Sequence, residues 1–139
     1  MQQAHQSGIP EYVRFIGGWG FNSPKLFQLA GRDANRAISG SAWNISNIYP
    51  ASKQFVDDFK EEYGTLPDQF AAQSYTAVLV LAAAIRKANS SDRAEIRDAL
   101  TKIGEIDSPL GLFSFDKNRE PVHEPVVQVM DNGKFVLLK

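Results

Sequence analysis

The spacing of apolar positions changes along the chain, and each change marks an element. Residues 2–7 read as the end of a helix, with Gly8 as the residue after it and Pro10 just beyond. Residues 12–16, YVRFI, predict a short buried strand closed by Gly17-Gly18. Ser23-Pro24 then opens a short helix, since serine caps and proline suits the first turn. Leu26, Phe27, Leu29 and Ala30 fill that helix and Gly31 ends it. A weaker strand covers 37–42, and 43–49 follow as a loop.

From Ala51 the period becomes helical. Phe55, Phe59 and Tyr63 repeat every four residues on one stripe, with Val56 beside them, and Gly64 stops the helix. A longer helix is expected over 67–88. Its stretch 77–85 is apolar almost all round, which predicts burial on more than one side. Asp92 with Glu95 three residues on has the form of a capping box, and Ile96, Ala99, Leu100 and Ile103 give the apolar face of a third helix. The tail then turns to strands at 112–115, 126–130 and 135–138. Asn132-Gly133 between the last two is a strong hairpin signal, because a type I′ turn needs positive φ at both central positions.

Composition narrows the field. Of 139 residues, 43% are apolar and 22% charged, which is a globular balance long enough to bury a core. The net charge of −1 gives no electrostatic case for nucleic acid or an anionic membrane. Cysteine is absent, which removes disulfides, thiolate nucleophiles and cysteine-based zinc sites. The apolar run 77–85 falls far short of the ~20 residues that span a bilayer. The first ten residues, MQQAHQSGIP, lack the basic and apolar regions of a secretion signal.

Catalytic and cofactor patterns are missing. His5 and His123 lie far apart with no second ligand at helical or loop spacing, so no metal site is expected. Gly18-Trp19-Gly20-Phe21-Asn22-Ser23 nearly copies the dinucleotide fingerprint but lacks its third glycine, and Trp19 would crowd a pyrophosphate, so no cofactor is expected. No serine sits in a G-x-S-x-G elbow. Asp57-Asp58 and Glu61-Glu62 fall on the polar side of the Phe55/Phe59/Tyr63 helix and read as a solvated face. Asn44-Ile-Ser46 and Asn89-Ser-Ser91 fit the glycosylation pattern as chance matches. What remains is aromatic. Trp19 and Phe21 follow a strand's carboxyl end, where open α/β sheets place ligands, and Trp43 follows the next strand in the same way. The competing reading is that both tryptophans plug a core.

The second half of the chain carries a family resemblance. The element Y-G-x-x-P-D-x-F-A-A-Q-x-Y (63–75), the helix D-x-x-x-I-R-D-A-L (92–100), the turn G-x-F-x-F-D-x-N (111–118) and the hairpin D-x-G-K-F (131–135) follow one another in order. In this they resemble the C-terminal part of periplasmic branched-chain-amino-acid-type (type I) solute-binding proteins of ABC importers. The front segment GIPEYVRFIGGWGFNSPKLFQLAG is similar to the family's helix–strand–loop–helix.

The resemblance implies an α/β chain that is part of a type I periplasmic-binding fold: a second-lobe segment over 1–46, helices that pack on the first lobe over 47–106, and C-terminal strands over 107–139. It implies a non-enzymatic, ligand-binding fragment of an extracytoplasmic receptor, periplasmic or at the cell surface, that delivers a small amino-acid-like, amide or aromatic carboxylate solute to an ABC permease. The alternatives are a sensing domain of the same fold and, less well supported, a small α/β enzyme. Trp19, Phe21, Trp43, Tyr75 and Thr76 become the ligand-binding candidates. Where leucine-type relatives carry an acid for the ligand's ammonium this sequence has Trp19, and where many have Tyr-Asp it has Tyr75-Thr76. Both departures favour an aromatic or amide-like solute held by stacking. Self-association or a complementary fragment is expected to cover the apolar helix.

Overall fold

In the computed structural model, which describes residues 1–23 and 25–138, the chain is α/β and divides into two compact units. One unit comprises residues 1–46 with 125–139, the other residues 47–124. Pro24 of the expected Ser23-Pro24 helix start lies outside the described residues.

The first unit opens with helix α1 (Gln2–Gln6), followed by Gly8 at φ +77°. Strand β1 (Phe15–Gly17) is shorter than expected, and it is not buried, since Ile16 is 80% exposed. The preceding residues cannot extend it, because Arg36 takes their carbonyls: its Nε donates to Val13 O at 3.0 Å and its Nη2 to Ile9 O and Pro10 O. Arg36 is itself 4% exposed, with its guanidinium 4.9 Å from the Phe15 ring centroid. A 3₁₀ turn (Trp19–Phe21) leads to α2 (Lys25–Ala30), and a second 3₁₀ segment (Gly31–Arg36), absent from the sequence reading, leads to β2 (Ala37–Ser41).

β1 pairs parallel with β2, β2 antiparallel with β6 (Val126–Asp131), and β6 antiparallel with β7 (Lys134–Leu137). Asn132 and Gly133 have φ of 46° and 87°, as the expected hairpin turn requires. The register aligns Phe15, Ala37, Met130 and Phe135 on one face of the sheet, where Met130 and Ala37 are buried with Ala34 against Phe21, Leu26 and Phe27. The other face carries Ile16, Val127, Val136 and Leu138, of which the last three remain between 38% and 50% exposed.

The second unit is helical with a small sheet. Helix α3 (Pro50–Tyr63) ends on Gly64 at φ +68°. Helix α4 (Gln69–Ala88) starts two residues later than expected, because the Asp68 carboxylate caps it by accepting from Ala71 N–H at 2.9 Å. The expectation that α4 is buried on several sides fails. Only the narrow i, i+4 row Ala72, Thr76, Val80 and Ala84, with Gln69 at its start, is buried, while Val78, Leu81 and Ile85 are 66%, 46% and 41% exposed. Helix α5 (Arg93–Leu100) packs against α4. Strands β3 (Ile106–Ser108), β4 (Gly111–Phe115) and β5 (Pro121–Val122) form an antiparallel sheet, of which only β4 was foreseen.

Candidate functional site

In the first unit the candidate residues sit on the turn that leaves β1. Gly17 has no Cβ, and one placed there would lie 2.4 Å from Phe21 Cγ, so the glycine lets the Phe21 ring lie directly on the strand. Hydrogen bonds from Phe21 N–H to Gly18 O and from Asn22 N–H to Trp19 O, each 3.0 Å, close the 3₁₀ turn. Its short period sends neighbouring side chains in different directions. Phe21 turns in against the Ala34/Ala37/Met130 cluster, whereas Trp19 stays 47% exposed. Trp43 is different again. At 2% exposure it lies in the interior, and no face of its ring is presented to solvent.

A buried polar network fixes this end of the sheet, and its members were not singled out from sequence. Asn22 Nδ2 donates to Ser41 Oγ at 2.7 Å, and Ser41 Oγ donates to Trp43 O at 2.6 Å. Asn44 Nδ2 donates to Gln128 Oε1 at 2.7 Å and to Phe135 O at 3.2 Å, and its Oδ1 accepts from Ser46 N–H. Gln128 Nε2 reaches Ser39 Oγ at 3.4 Å. Asn44, Gln128, Ser39 and Ser41 are each 4% exposed or less. The bonds among Asn22, Ser41, Trp43, Asn44, Gln128 and Ser39 are therefore buried, while those from Asn44 to Phe135 O and Ser46 N–H are half-buried. Asn44, inside its glycosylation-like triplet, is thus a structural amide with its nitrogen engaged. The one signal in the sequence was the clustering of small polar residues after an apolar strand.

The second unit holds the other two candidates. Tyr75 lies on α4, is 43% exposed, and packs its ring 5.0 Å from that of Phe55. Phe55 continues to Phe59 at 5.7 Å and Phe59 to Tyr63 at 4.6 Å, giving a row of four tilted rings. They line a groove of about 450 Å³ whose rim carries Asp58 and Glu62. Asp58 accepts from Gln54 Nε2 at 2.6 Å. Thr76 is 1% exposed and donates its hydroxyl to Ala72 O at 2.9 Å, so it lies on the buried row of α4 with its donor used within the helix. Trp19 and Phe21 therefore meet on one turn, Trp43 is interior to the same unit, and Tyr75 belongs to a separate aromatic row. Among the described residues, no group of three or more His, Asp or Glu side chains is arranged to hold a metal ion.

Comparison with known proteins gives a consistent picture. The family profile described as "Periplasmic binding protein" matches residues 1–134. A leucine-, isoleucine-, valine-, threonine- and alanine-binding protein of Pseudomonas aeruginosa is 28% identical over 117 residues, covering 84% of this chain and 30% of that protein. The crystal structure of a leucine-binding protein from Thermotoga maritima superposes with a TM-score of 0.90 at 28% identity, over 99% of this chain and 39% of that one. A branched-chain amino acid transporter substrate-binding protein from Streptococcus pneumoniae, solved with isoleucine, gives a TM-score of 0.84 at 29% identity, over 96% of this chain and 38% of that one. The chain thus spans about a third of the length of the relatives it matches.

Proposed function

The chain belongs to the periplasmic binding protein family, and from that premise we propose that it supplies part of a non-catalytic solute receptor for an ABC importer, working in the periplasm or at the cell surface. The solute is a small aromatic carboxylate, amide or amino-acid-like molecule, which the receptor holds unchanged and passes to a membrane permease. The observation that carries this reading is Trp19. A half-exposed indole on a turn past the carboxyl end of a strand, held in place by the Asn22–Ser41 bond, offers a flat apolar face where open α/β sheets gather ligands.

Stacking on that face contributes roughly 0.5–1.5 kcal/mol beyond the area buried. An exposed indole supplies no countercharge for an ammonium group, which is why a planar carboxylate or amide suits it better than a zwitterion. Phe21 anchors the same turn by packing on Gly17 and the core, and Trp43 serves the interior. Tyr75 offers a ring edge and a hydroxyl in its own unit. On the same reading, the open apolar side chains of α4 and of the sheet are covered in the working protein by other polypeptide, a second copy or the complementary part of a longer family member.

The test is saturation-transfer NMR of benzoate, benzamide, leucine and isoleucine with the chain and with Trp19→Ala. The expected result is transfer to benzoate or benzamide at a roughly millimolar Kd, about 4 kcal/mol of binding, lost in Trp19→Ala. Saturable transfer to leucine alone, unchanged by the substitution, would overturn both the solute class and the role of Trp19.

A further inference from the structure

A second concave surface lies in the unit formed by residues 47–124, away from every candidate residue named so far. It is a cavity of about 390 Å³ between the last turn of α5 and the turn that joins β4 to β5. Leu100 and Phe115 give it an apolar floor, and Arg97, Lys117 and Arg119 surround it with positive charge.

The local hydrogen bonds decide how much of that charge is available. Asp116 also lines the cavity and keeps its negative charge, but its oxygens are directed to the turn rather than to either cation: Oδ1 accepts from the N–H groups of Asn118 and Glu120, both at 2.8 Å, and Oδ2 accepts from Asn118 Nδ2 at 3.4 Å. Arg97 is held by Asp98 through Nε at 2.9 Å and Nη2 at 2.7 Å. Lys117 and Arg119 make no ion pair among the described residues. Two cations outside any ion pair thus flank an apolar floor, against the single carboxylate of Asp116.

The backbone adds an independent observation. The turn is closed by Arg119 N–H to Asp116 O and Asp116 N–H to Glu120 O, each at 3.0 Å, and Arg119 occupies its left-handed position with φ +69°. Glycine takes that conformation without penalty and asparagine with little, whereas a long side chain with a Cβ is disfavoured there. A bulky cation therefore occupies a position suited to glycine at a cost to the turn, and its side chain lines the cavity.

We infer that this cavity binds a small amphiphilic carboxylate, with its apolar body on Leu100 and Phe115 and its carboxylate between Lys117 and Arg119. An inorganic anion would meet the cations but leave the floor wet, and an amphiphilic cation would meet the floor against repulsion.

The probe is octanoate, titrated into the 139-residue chain and followed by ¹⁵N–¹H NMR, with octylammonium and sulfate as controls at matched ionic strength. Octanoate is expected to shift the amides of Leu100, Phe115, Lys117 and Arg119 saturably. Octylammonium, which shares the apolar body, leaves those amides in place even where it touches other apolar surface, and sulfate fails to displace octanoate. Arg119→Gly is expected to weaken octanoate binding about three- to fivefold while raising Tm by a few degrees. Arg119→Asn, which tolerates the left-handed backbone, weakens binding equally and serves where the glycine variant handles poorly. Unchanged octanoate affinity in both variants, equal shifts with octylammonium, or full competition by sulfate would each overturn the assignment.

Discussion

Tyr49 donates its hydroxyl proton to Glu124 Oε2 at 2.8 Å, and this bond, followed by the charge of the carboxylate, raises the phenol above its ordinary value of 10.0. The partnered form is the neutral phenol. Its contribution to stability is therefore complete below pH 10 and is lost as the pH rises through the raised value. An alkaline absorbance titration is expected to show one phenol ionising late, and Glu124→Gln to bring it back toward 10.0. The Tyr49 ring also rests on Gly111, where an added Cβ would come within 2.8 Å of Cε2 and φ is +89°. Gly111→Ala should therefore cost about 2 kcal/mol in chemical denaturation, from the left-handed backbone and the displaced ring together. Asn44→Ala should cost a similar ~2 kcal/mol, because it leaves Gln128 Oε1 buried and Phe135 O half-buried without this donor. Denaturation midpoints unchanged by either substitution would contradict these roles.

Elements were legible where a local signal decides them. Asp92 does cap α5, accepting from Ala94 N–H at 2.9 Å and Glu95 N–H at 3.1 Å, so Asp92→Ala is expected to lower stability by about 1 kcal/mol. The box is only half made, since Asp92 N–H goes to Ser90 Oγ at 3.0 Å. Gly31 and Gly64 mark the ends of α2 and α3, and Asn132-Gly133 turns the hairpin, because left-handed backbone is written directly in residue type. Elements set by partners far along the chain were not legible. Residues 12–14 have strand composition, yet Arg36 draws the carbonyl of Val13 away from strand pairing. β3 and β5 are too short to show a period, and they exist because β4 lies between them. The apolar run in α4 signalled burial correctly in kind but not in place, since within α4 only the row Ala72, Thr76, Val80 and Ala84, with Gln69, is buried. For the candidate site, the turn and its exposed indole could be read ahead. The interior positions of Trp43 and Thr76 could not, because which side of a strand end or helix faces the core depends on register and packing partner.

At the scale of the molecule, each unit closes a core of its own and leaves apolar side chains in solvent: Ile16, Val127, Val136 and Leu138 in one, Phe70, Val78, Leu81 and Ile85 in the other. Sedimentation velocity is expected to show concentration-dependent association, reduced by Val78→Glu with Leu81→Glu. A single dispersed monomer at every concentration would count against covered apolar faces. The central claim remains that Trp19 meets the solute, and the two tryptophans make it directly measurable. In Trp43→Phe the exposed indole becomes the sole reporter, and its fluorescence can be titrated with benzoate, benzamide and leucine. The account predicts a saturable blue shift or quench with the aromatic carboxylate or amide. Solute binding detected by NMR while Trp19 emission stays fixed would contradict it.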